Sequence, residues 1–278
     1  MKKYINYSFA LITVALLLSS CQDKVDIKVP NGETLLVVDG WITNMPGPYT
    51  ITLSTTGPYF ENNQTPRVQS AIVVIKDSEG IVDTLTETAP GVYKTNIIEG
   101  KIGNGYVLNI YNALGENYIA NTKMERGSVI DSLKYEYLDK KGTEEDGYYI
   151  RYYGPEPAGV GDYYRFLLTV NDKLLNQPGD VWQITSDELV DGNYISAWDP
   201  YGKALKKGEK FKIQGLSLTQ DAYYFFNEMA TQVNNGGLFA NPPANVRTNI
   251  INTNPNSKKK AVGYFGASSV SEKEVVIE

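Results

Sequence analysis

The residue with the most distinctive chemistry in this 278-residue chain is Cys21, its only cysteine. A cysteine thiolate is a strong nucleophile and can be acylated or alkylated. The chain contains no histidine, which excludes proton transfer by an imidazole and every metal site that needs one. If the Cys21 thiol is acylated, no free thiol remains. The available chemistry then belongs to carboxylates, lysines, hydroxyl groups and oxygen-bound cations such as calcium. We therefore expect no resident cofactor and no catalytic residue.

A positively charged segment and then an apolar one precede Cys21. Lys2 and Lys3 lead into the apolar run Phe9–Leu18, which is interrupted by one threonine. Its length is typical of a signal peptide and too short to span a bilayer. Two small residues then stand directly before the cysteine. The pattern predicts export, and the competing interpretations are an uncleaved transmembrane helix or a cleaved signal with a free thiol.

The four residues Leu18-Ser19-Ser20-Cys21 resemble the lipobox of bacterial lipoproteins. In that class the cysteine is lipidated and the preceding signal is removed. The resemblance implies a signal peptide over residues 1–20 and a lipidated tether over residues 21–32. Acyl chains such as palmitate on Cys21 would attach the protein to a membrane, because two or more chains give a stable anchor.

Composition limits the partners of the mature protein. Removing residues 1–20 leaves 258 of the 278 residues, and it removes two of the 26 basic residues and none of the 32 acidic ones, so the formal charge becomes −8. Such a chain does not suit nucleic acid, which is bound by basic patches, or electrostatic adhesion to anionic lipids. Without disulfides, an exported chain must be held together by its apolar core.

Short alternating segments separated by turns predict a mainly β protein. About seven such segments lie within residues 33–125, which is typical of an immunoglobulin-like β-sandwich. The alternation continues over residues 126–278, where we expect a second β-rich domain. One amphipathic helix is predicted near residues 219–235, because Thr219 is a suitable N-cap and apolar side chains follow at helical spacing.

Two details of this pattern are specific enough to compare with a structure. Residues 81–87 are predicted to form one strand, paired as a hairpin through the turn at residues 77–80. Trp41 is predicted to lie in the sandwich core, and its alternative role is a stacking platform at a partner surface.

Several longer stretches together resemble one protein family. They are Leu36–Asn44, Gly47–Tyr49, Thr86–Tyr93 and Gly237–Ile250, in addition to the lipobox. The chain resembles the Bacteroidota lipoprotein family known as domain of unknown function 4249 over nearly its whole mature length. The family's members are outer-membrane lipoproteins, often encoded beside TonB-dependent receptors. The resemblance therefore implies an outer-membrane location and partnership with such a receptor, and it assigns no role to any residue.

Tyrosine supplies the best candidate binding surface, with 21 copies against 8 phenylalanines. Its ring suits surfaces that are half wet, although strand packing is the expected role of most copies. We predict that Tyr149, Tyr153 and Tyr163 belong to a partly exposed aromatic face for a sugar, peptide or protein. Arg247, in a loop rich in glycine and proline, is predicted to pair either with a ligand carboxylate or with an internal acid.

The acidic residues show no pattern typical of a catalytic or metal site. The densest run, Glu144-Glu145-Asp146, lacks the alternating spacing of a calcium loop, and we interpret it as a solvated hairpin tip. No motif places two carboxylates across a cleft, as a glycosidase requires, and no phosphate-binding glycine loop of the Walker type occurs.

Three functions follow from these observations. The preferred one is a non-enzymatic outer-membrane lipoprotein, an accessory or ligand-capture subunit of a TonB-dependent transporter in nutrient uptake. The stretch after Cys21, with Gln22, Asp23 and Asp26, resembles a surface-export signal of Bacteroidota lipoproteins. This resemblance favours the cell surface over the periplasm. The alternative is a stand-alone cell-surface module that binds carbohydrate or peptide. The third is a hydrolase that uses carboxylates alone, for which the sequence offers no positive sign.

Overall fold

A computed structural model describes residues 33–57, 65–140, 145–180, 182–235 and 244–278. Over these residues the chain is mainly β and sandwich-like, which confirms the predicted fold class. The predicted signal peptide, Cys21 and the tether to residue 32 lie outside the described residues.

Strands follow one another along the described chain, and one helix interrupts them. The strands are β1 (Leu36–Thr43), β2 (Thr50–Thr55), β3 (Ile72–Asp77), β4 (Val82–Thr84), β5 (Thr86–Ala89), β6 (Val92–Lys94), β7 (Gly105–Ala113), β8 (Glu116–Lys123), β9 (Ser132–Leu138), β10 (Gly147–Pro155), β11 (Tyr163–Val170), β12 (Lys173–Leu174), β13 (Gln183–Ser186), β14 (Tyr194–Trp198), β15 (Lys210–Leu218), β16 (Ile251–Asn252), β17 (Ala261–Ser268) and β18 (Val270–Val276). The helix α1 (Gln220–Val233) lies between β15 and β16.

The first sandwich consists of two five-stranded sheets. Sheet A has the strand order β17-β1-β2-β6-β5, and sheet B has the order β16-β8-β7-β3-β4. Successive side chains of a strand point to opposite faces, so each sheet can bury one face. Leu36, Val38 and Ile42 of β1 share one buried core with Val73 and Ile75 of β3. This common core holds sheets A and B together.

A second pair of sheets has its own core. Sheet C has the order β14-β10-β9, and sheet D has the order β12-β11-β15-β18, with β13 also paired to β11. The buried side chains include Ile150 and Tyr152 from β10, Phe166 from β11, and Phe211 and Ile213 from β15. The alternation predicted over residues 126–278 is present in β11, since Tyr164, Phe166 and Leu168 are all buried.

The first sandwich takes strands from both ends of the described chain. β17 pairs in parallel with β1 along its whole length, from Leu36 opposite Ala261 to Thr43 opposite Ser268. β16 pairs with β8 in the other sheet. The sandwich predicted for residues 33–125 therefore also contains strands from beyond residue 250. Local alternation does not reveal this pairing, because the paired residues lie far apart in the sequence.

The strand predicted over residues 81–87 is split between the two sheets of the first sandwich. β4 pairs with β3 in sheet B, whereas β5 pairs with β6 in sheet A. Leu85 stands between them, and its side chain is buried in the common core. The chain changes sheets here because Leu85 turns inward while the residues on either side pair with different strands.

Asp83, a residue that is only 2% exposed, stabilises the passage of the chain from one sheet to the other through its carboxylate. The carboxylate accepts hydrogen bonds from the backbone N–H groups of Asn96, Ile97 and Ile98 at 2.8, 2.9 and 3.0 Å. Burial alone would raise the pKa of Asp83, but these hydrogen bonds outweigh it and lower the pKa below its ordinary value of 3.8. The charged carboxylate therefore stabilises the fold.

We expect Asp83→Asn to lower the free energy of unfolding at pH 7 by about 2 kcal/mol, because the amide keeps one acceptor oxygen and loses the charge. Because folding lowers the pKa, the contribution of Asp83 is complete above pH 3.8 and is lost as the pH falls below it. Urea unfolding at pH 7 and pH 3 measures both effects. Asp172, whose side chain is 79% exposed, provides the matched control, and an equal loss in Asp172→Asn would contradict the expectation.

Candidate functional site

A pocket of about 650 Å³ lies where the outward faces of sheets A and D meet helix α1. This volume is within the range of small-molecule sites. The alternation that sends Leu36 and Val38 into the sandwich core turns the other side chains of β1 outward. The described side chains that define the pocket walls are Trp41 from sheet A, Arg165, Leu167 and Leu216 from sheet D, and Phe226 and Met229 from α1.

Helix α1 forms as the sequence predicts. The hydroxyl of Thr219 accepts a hydrogen bond from the backbone N–H of Ala222 at 3.2 Å, so Thr219 is the N-cap. Ala222, Phe225 and Phe226 are buried on one side of the helix. They pack against Tyr264 of β17, which places the helix over the outward face of sheet A.

Trp41 lies on that outward face, beneath the helix. Its ring centre is 5.4 Å from that of Phe226 and 6.0 Å from that of Tyr264. The indole N–H donates a hydrogen bond to Ser268 Oγ at 2.9 Å. The prediction that Trp41 belongs to the sandwich core was wrong, because Leu36 and the residues at even positions after it take the inward face of β1.

Arg165 is a half-buried arginine in the pocket wall. Its guanidinium carbon lies 4.2 Å from the ring centre of Phe226 and 5.2 Å from that of Trp182. Among the described residues it has no hydrogen bond or ion pair, whereas Arg126 and Arg151 both pair with acids. Burial lowers the pKa of Arg165 to about 10, so it stays cationic at neutral pH. The pocket therefore contains a positive charge that the described chain does not neutralise.

The structure does not bring together the tyrosines predicted to form a binding face. Tyr149 of β10 is only 4% exposed, and its hydroxyl donates to the carbonyl of Glu145 at 2.8 Å. Tyr153, on the same strand, is half-buried, and the ammonium of Lys134 lies 5.0 Å from its ring centre. Tyr149 is therefore too buried to contribute to an exposed platform.

Tyr163 and Arg247 contact helix α1 instead. The ring of Tyr163 packs against that of Tyr223 with their centres 4.9 Å apart. Arg247 pairs with Glu228 at 2.7 Å and with Asp221 at 3.2 Å. Hydrogen bonds from the guanidinium raise the pKa of Arg247 and lower that of Glu228. Two kinds of partner were predicted for Arg247, a ligand carboxylate and an internal acid. The structure shows the second kind, because both partners are acids of helix α1.

Two stretches singled out in the sequence are only partly described. Glu144, and residues 236–243 of the loop before Arg247, lie outside the described residues. At the end of the acidic run, the carboxylate of Asp146 accepts a hydrogen bond from the backbone N–H of Lys140 at 2.7 Å. That local bond is consistent with a hairpin tip.

A cluster of three acidic residues, which no sequence pattern indicated, contains Glu156, Asp162 and Asp187. All three are buried, and their carboxylate oxygens lie within 4.8 Å of one another. Oxygen ligands at this spacing are of the type that calcium prefers. Burial raises the pKa of Glu156 above its ordinary value. The three residues come from loops and strand ends, so no local spacing in the sequence marks them.

Each of these carboxylates already has a donor from the protein. Arg126 pairs with Asp162 at 2.7 Å, and the hydroxyl of Tyr164 donates to Glu156 at 2.6 Å. The backbone N–H of Gly161 donates to both oxygens of Asp187 at 3.1 and 3.0 Å. The cluster therefore connects loops around β11, and its hydrogen bonds are satisfied without a metal.

These features define the class of the protein, which is a mainly β, sandwich-like protein whose single described helix covers a pocket with an unneutralised arginine. The model of a domain of unknown function (DUF4249) matches residues 22–274, and the chain belongs to that family. The family predicted from the sequence is thus confirmed. Comparison with the curated proteins found no match. Within the described ranges, no helix combines the length and the apolar character needed to cross a membrane.

Proposed function

We propose that this protein is a non-enzymatic, lipid-anchored outer-membrane protein that captures a ligand and works with a TonB-dependent transporter in nutrient uptake. The pocket beneath α1 is the observation that carries the capture role. Its walls are mainly apolar and aromatic, with few polar groups, as in small-molecule binding sites. Among the described residues of its lining, Asp39 is the one acid, so this lining offers no pair of carboxylates for hydrolysis.

The membrane anchor is proposed from Cys21 and the lipobox before it. The short apolar run before Cys21 and the absence of any other cysteine support lipidation at that position. The acidic residues Asp23 and Asp26 support the cell surface over the periplasm. The transporter is proposed from the resemblance to outer-membrane lipoproteins that are encoded beside such receptors.

Cys21→Ser is expected to move the protein from the membrane fraction to the soluble fraction, because no acyl chain can then be attached. Ser20→Ala is the matched control and keeps a small residue before Cys21, so it is expected to stay in the membrane. Fractionation followed by immunoblotting measures both variants. Equal membrane retention of the two variants would contradict the lipid anchor.

Partnership is tested on the full-length protein extracted from native outer membranes in mild detergent. We expect a large outer-membrane barrel to co-purify in stoichiometric amount, identified by mass spectrometry. A lipoprotein that always runs alone would contradict the accessory role. It would support the alternative, a stand-alone cell-surface module for carbohydrate or peptide.

A further inference from the structure

We propose that the pocket binds an amphipathic organic anion: a single carboxylate pairs with Arg165, and an attached apolar body fills the space between Trp41, Leu167 and Phe226. This inference rests on the proposed capture function and names its class of ligand. Nothing in the family assignment specifies a ligand for this site.

Arg165 has a guanidinium group without an acceptor among the described residues. An arginine presents five N–H donors in a planar fork that fits a carboxylate in a bidentate way. Here the ring contacts with Phe226 and Trp182 hold the guanidinium in place, but no described acceptor pairs with it. Donors that lose water without gaining an acceptor lower stability. A ligand carboxylate would remove that penalty and neutralise the charge.

A second hydrogen-bond donor, next to the guanidinium of Arg165, also lacks an acceptor. The indole N–H of Trp182 is buried and has no acceptor among the described residues. The ring of Trp182 also provides one of the two aromatic contacts of Arg165. Two neighbouring donor groups, the Arg165 guanidinium and the Trp182 indole, therefore lack acceptors among the described residues, which favours an anion over a cation.

The rest of the pocket lining is mainly apolar. Val37, Leu167, Leu216, Met229 and Val270 supply hydrocarbon on several sides. Such walls suit an aliphatic or aromatic body. A sugar would leave most of its hydroxyl groups without partners there.

The few other polar groups of the lining limit the ligand further. The amide of Gln214 already donates to Glu272 at 2.7 Å. Asp39 is exposed at the pocket and repels additional negative charge. A single negative charge on an apolar body therefore fits the lining better than a dianion does.

The test compares two soluble probes that share one apolar body, 6-phenylhexanoate and the neutral 6-phenylhexan-1-ol. Isothermal titration calorimetry uses the full-length lipidated protein in phosphatidylcholine nanodiscs, and empty nanodiscs provide the blank. We expect the acid to bind at least tenfold more tightly than the alcohol. Arg165→Gln should abolish this preference, whereas Arg165→Lys should retain part of it.

Two further variants provide a charge control and a separate test of the pocket. Arg67→Gln removes the same charge from an exposed position and is expected to leave binding unchanged. Met229→Trp fills the pocket and leaves Arg165 in place, so it should weaken the binding of both probes at least tenfold. Thermal unfolding verifies that each variant is folded before it is titrated.

The possible outcomes separate this inference from the proposed function. Equal binding of acid and alcohol by the folded wild-type protein would overturn the anion assignment and leave ligand capture intact. Binding of neither probe would overturn the inference, and co-purification with a barrel would then still decide the accessory role. A preference for the acid that survives both Arg165→Gln and Met229→Trp would place the anion site elsewhere and overturn the assignment.

Discussion

Gly263→Ala is expected to lower the free energy of unfolding by about 4 kcal/mol, because it combines backbone strain with a steric overlap. Gly263 lies in β17 with φ at +89°, which is unfavourable for any side chain. A Cβ atom at this position would overlap the backbone carbonyl oxygen of Val38, its partner in β1. Backbone cannot move aside as a flexible side chain can, so β17 would have to separate from β1.

Gly80→Ala separates the backbone strain from the steric overlap. Gly80 has a similar φ of +94°, but a Cβ atom there would meet no other atom within 4 Å. We expect this variant to lose only about 1 kcal/mol, the backbone term alone. Urea unfolding of both variants gives the difference. Equal losses would mean that β17 and β1 are not held at the spacing described.

Arg126→Gln is expected to lower the free energy of unfolding at pH 7.5 by about 2–3 kcal/mol. Breaking a buried ion pair typically costs more, but the side chain of Arg126 is 44% exposed and its charge is partly screened. The loss arises because Asp162, which is only 8% exposed, is left without its ion-pair partner beside the carboxylates of Glu156 and Asp187. Its hydrogen bonds from the guanidinium would also be lost.

This loss is expected to shrink as the pH falls towards 4.5, the ordinary pKa of a glutamate. Burial raises the pKa of Glu156 above its ordinary value of 4.5, so this group binds a proton at a higher pH when folded than when unfolded. A carboxyl of this kind destabilises the fold above its folded pKa and ceases to do so as the pH falls through that value. Protonation of Glu156 therefore relieves the repulsion that Arg126 normally offsets. The matched control is Lys123→Gln in an exposed pair with Glu125, and an equally large loss in this control would contradict the expectation.

The elements that the sequence predicts well are those specified by neighbouring residues. Helix α1 begins after Thr219, and its apolar side chains recur at helical spacing, so both signals lie within one segment. The hairpin turn after β3 is equally local, since the carboxylate of Asp77 accepts hydrogen bonds from the N–H groups of Glu79 and Ile81. The parallel pairing of β1 with β17 is different, because alternation shows which face of a strand is apolar and says nothing about its neighbours.

The candidate site was also less predictable, because its residues are brought together by contacts between distant segments. Alternation in β11 places Arg165 on the face opposite Tyr164 and Phe166, although the sequence did not single out this arginine as a site residue. It could not show that helix α1 covers this face, or that no described acid meets the guanidinium. For Arg247 it was the presence of acidic partners that could not be predicted, because these acids became identifiable only once helix α1 was placed. Charge pairing depends on tertiary contacts, and local patterns do not determine those contacts.

The parallel pairing of β1 with β17 also sets the order in which the chain can fold. β1 gains β2 as a neighbour early, but the other edge of β1 has no partner until the chain has emerged as far as Ser268. Contacts between such distant segments form late and make folding slow. The proposed export of the unfolded chain would benefit from this delay, because the first sandwich cannot be completed before β17 has passed through the membrane. Truncation before β17 would leave β1 with an open edge, which is a site for aggregation.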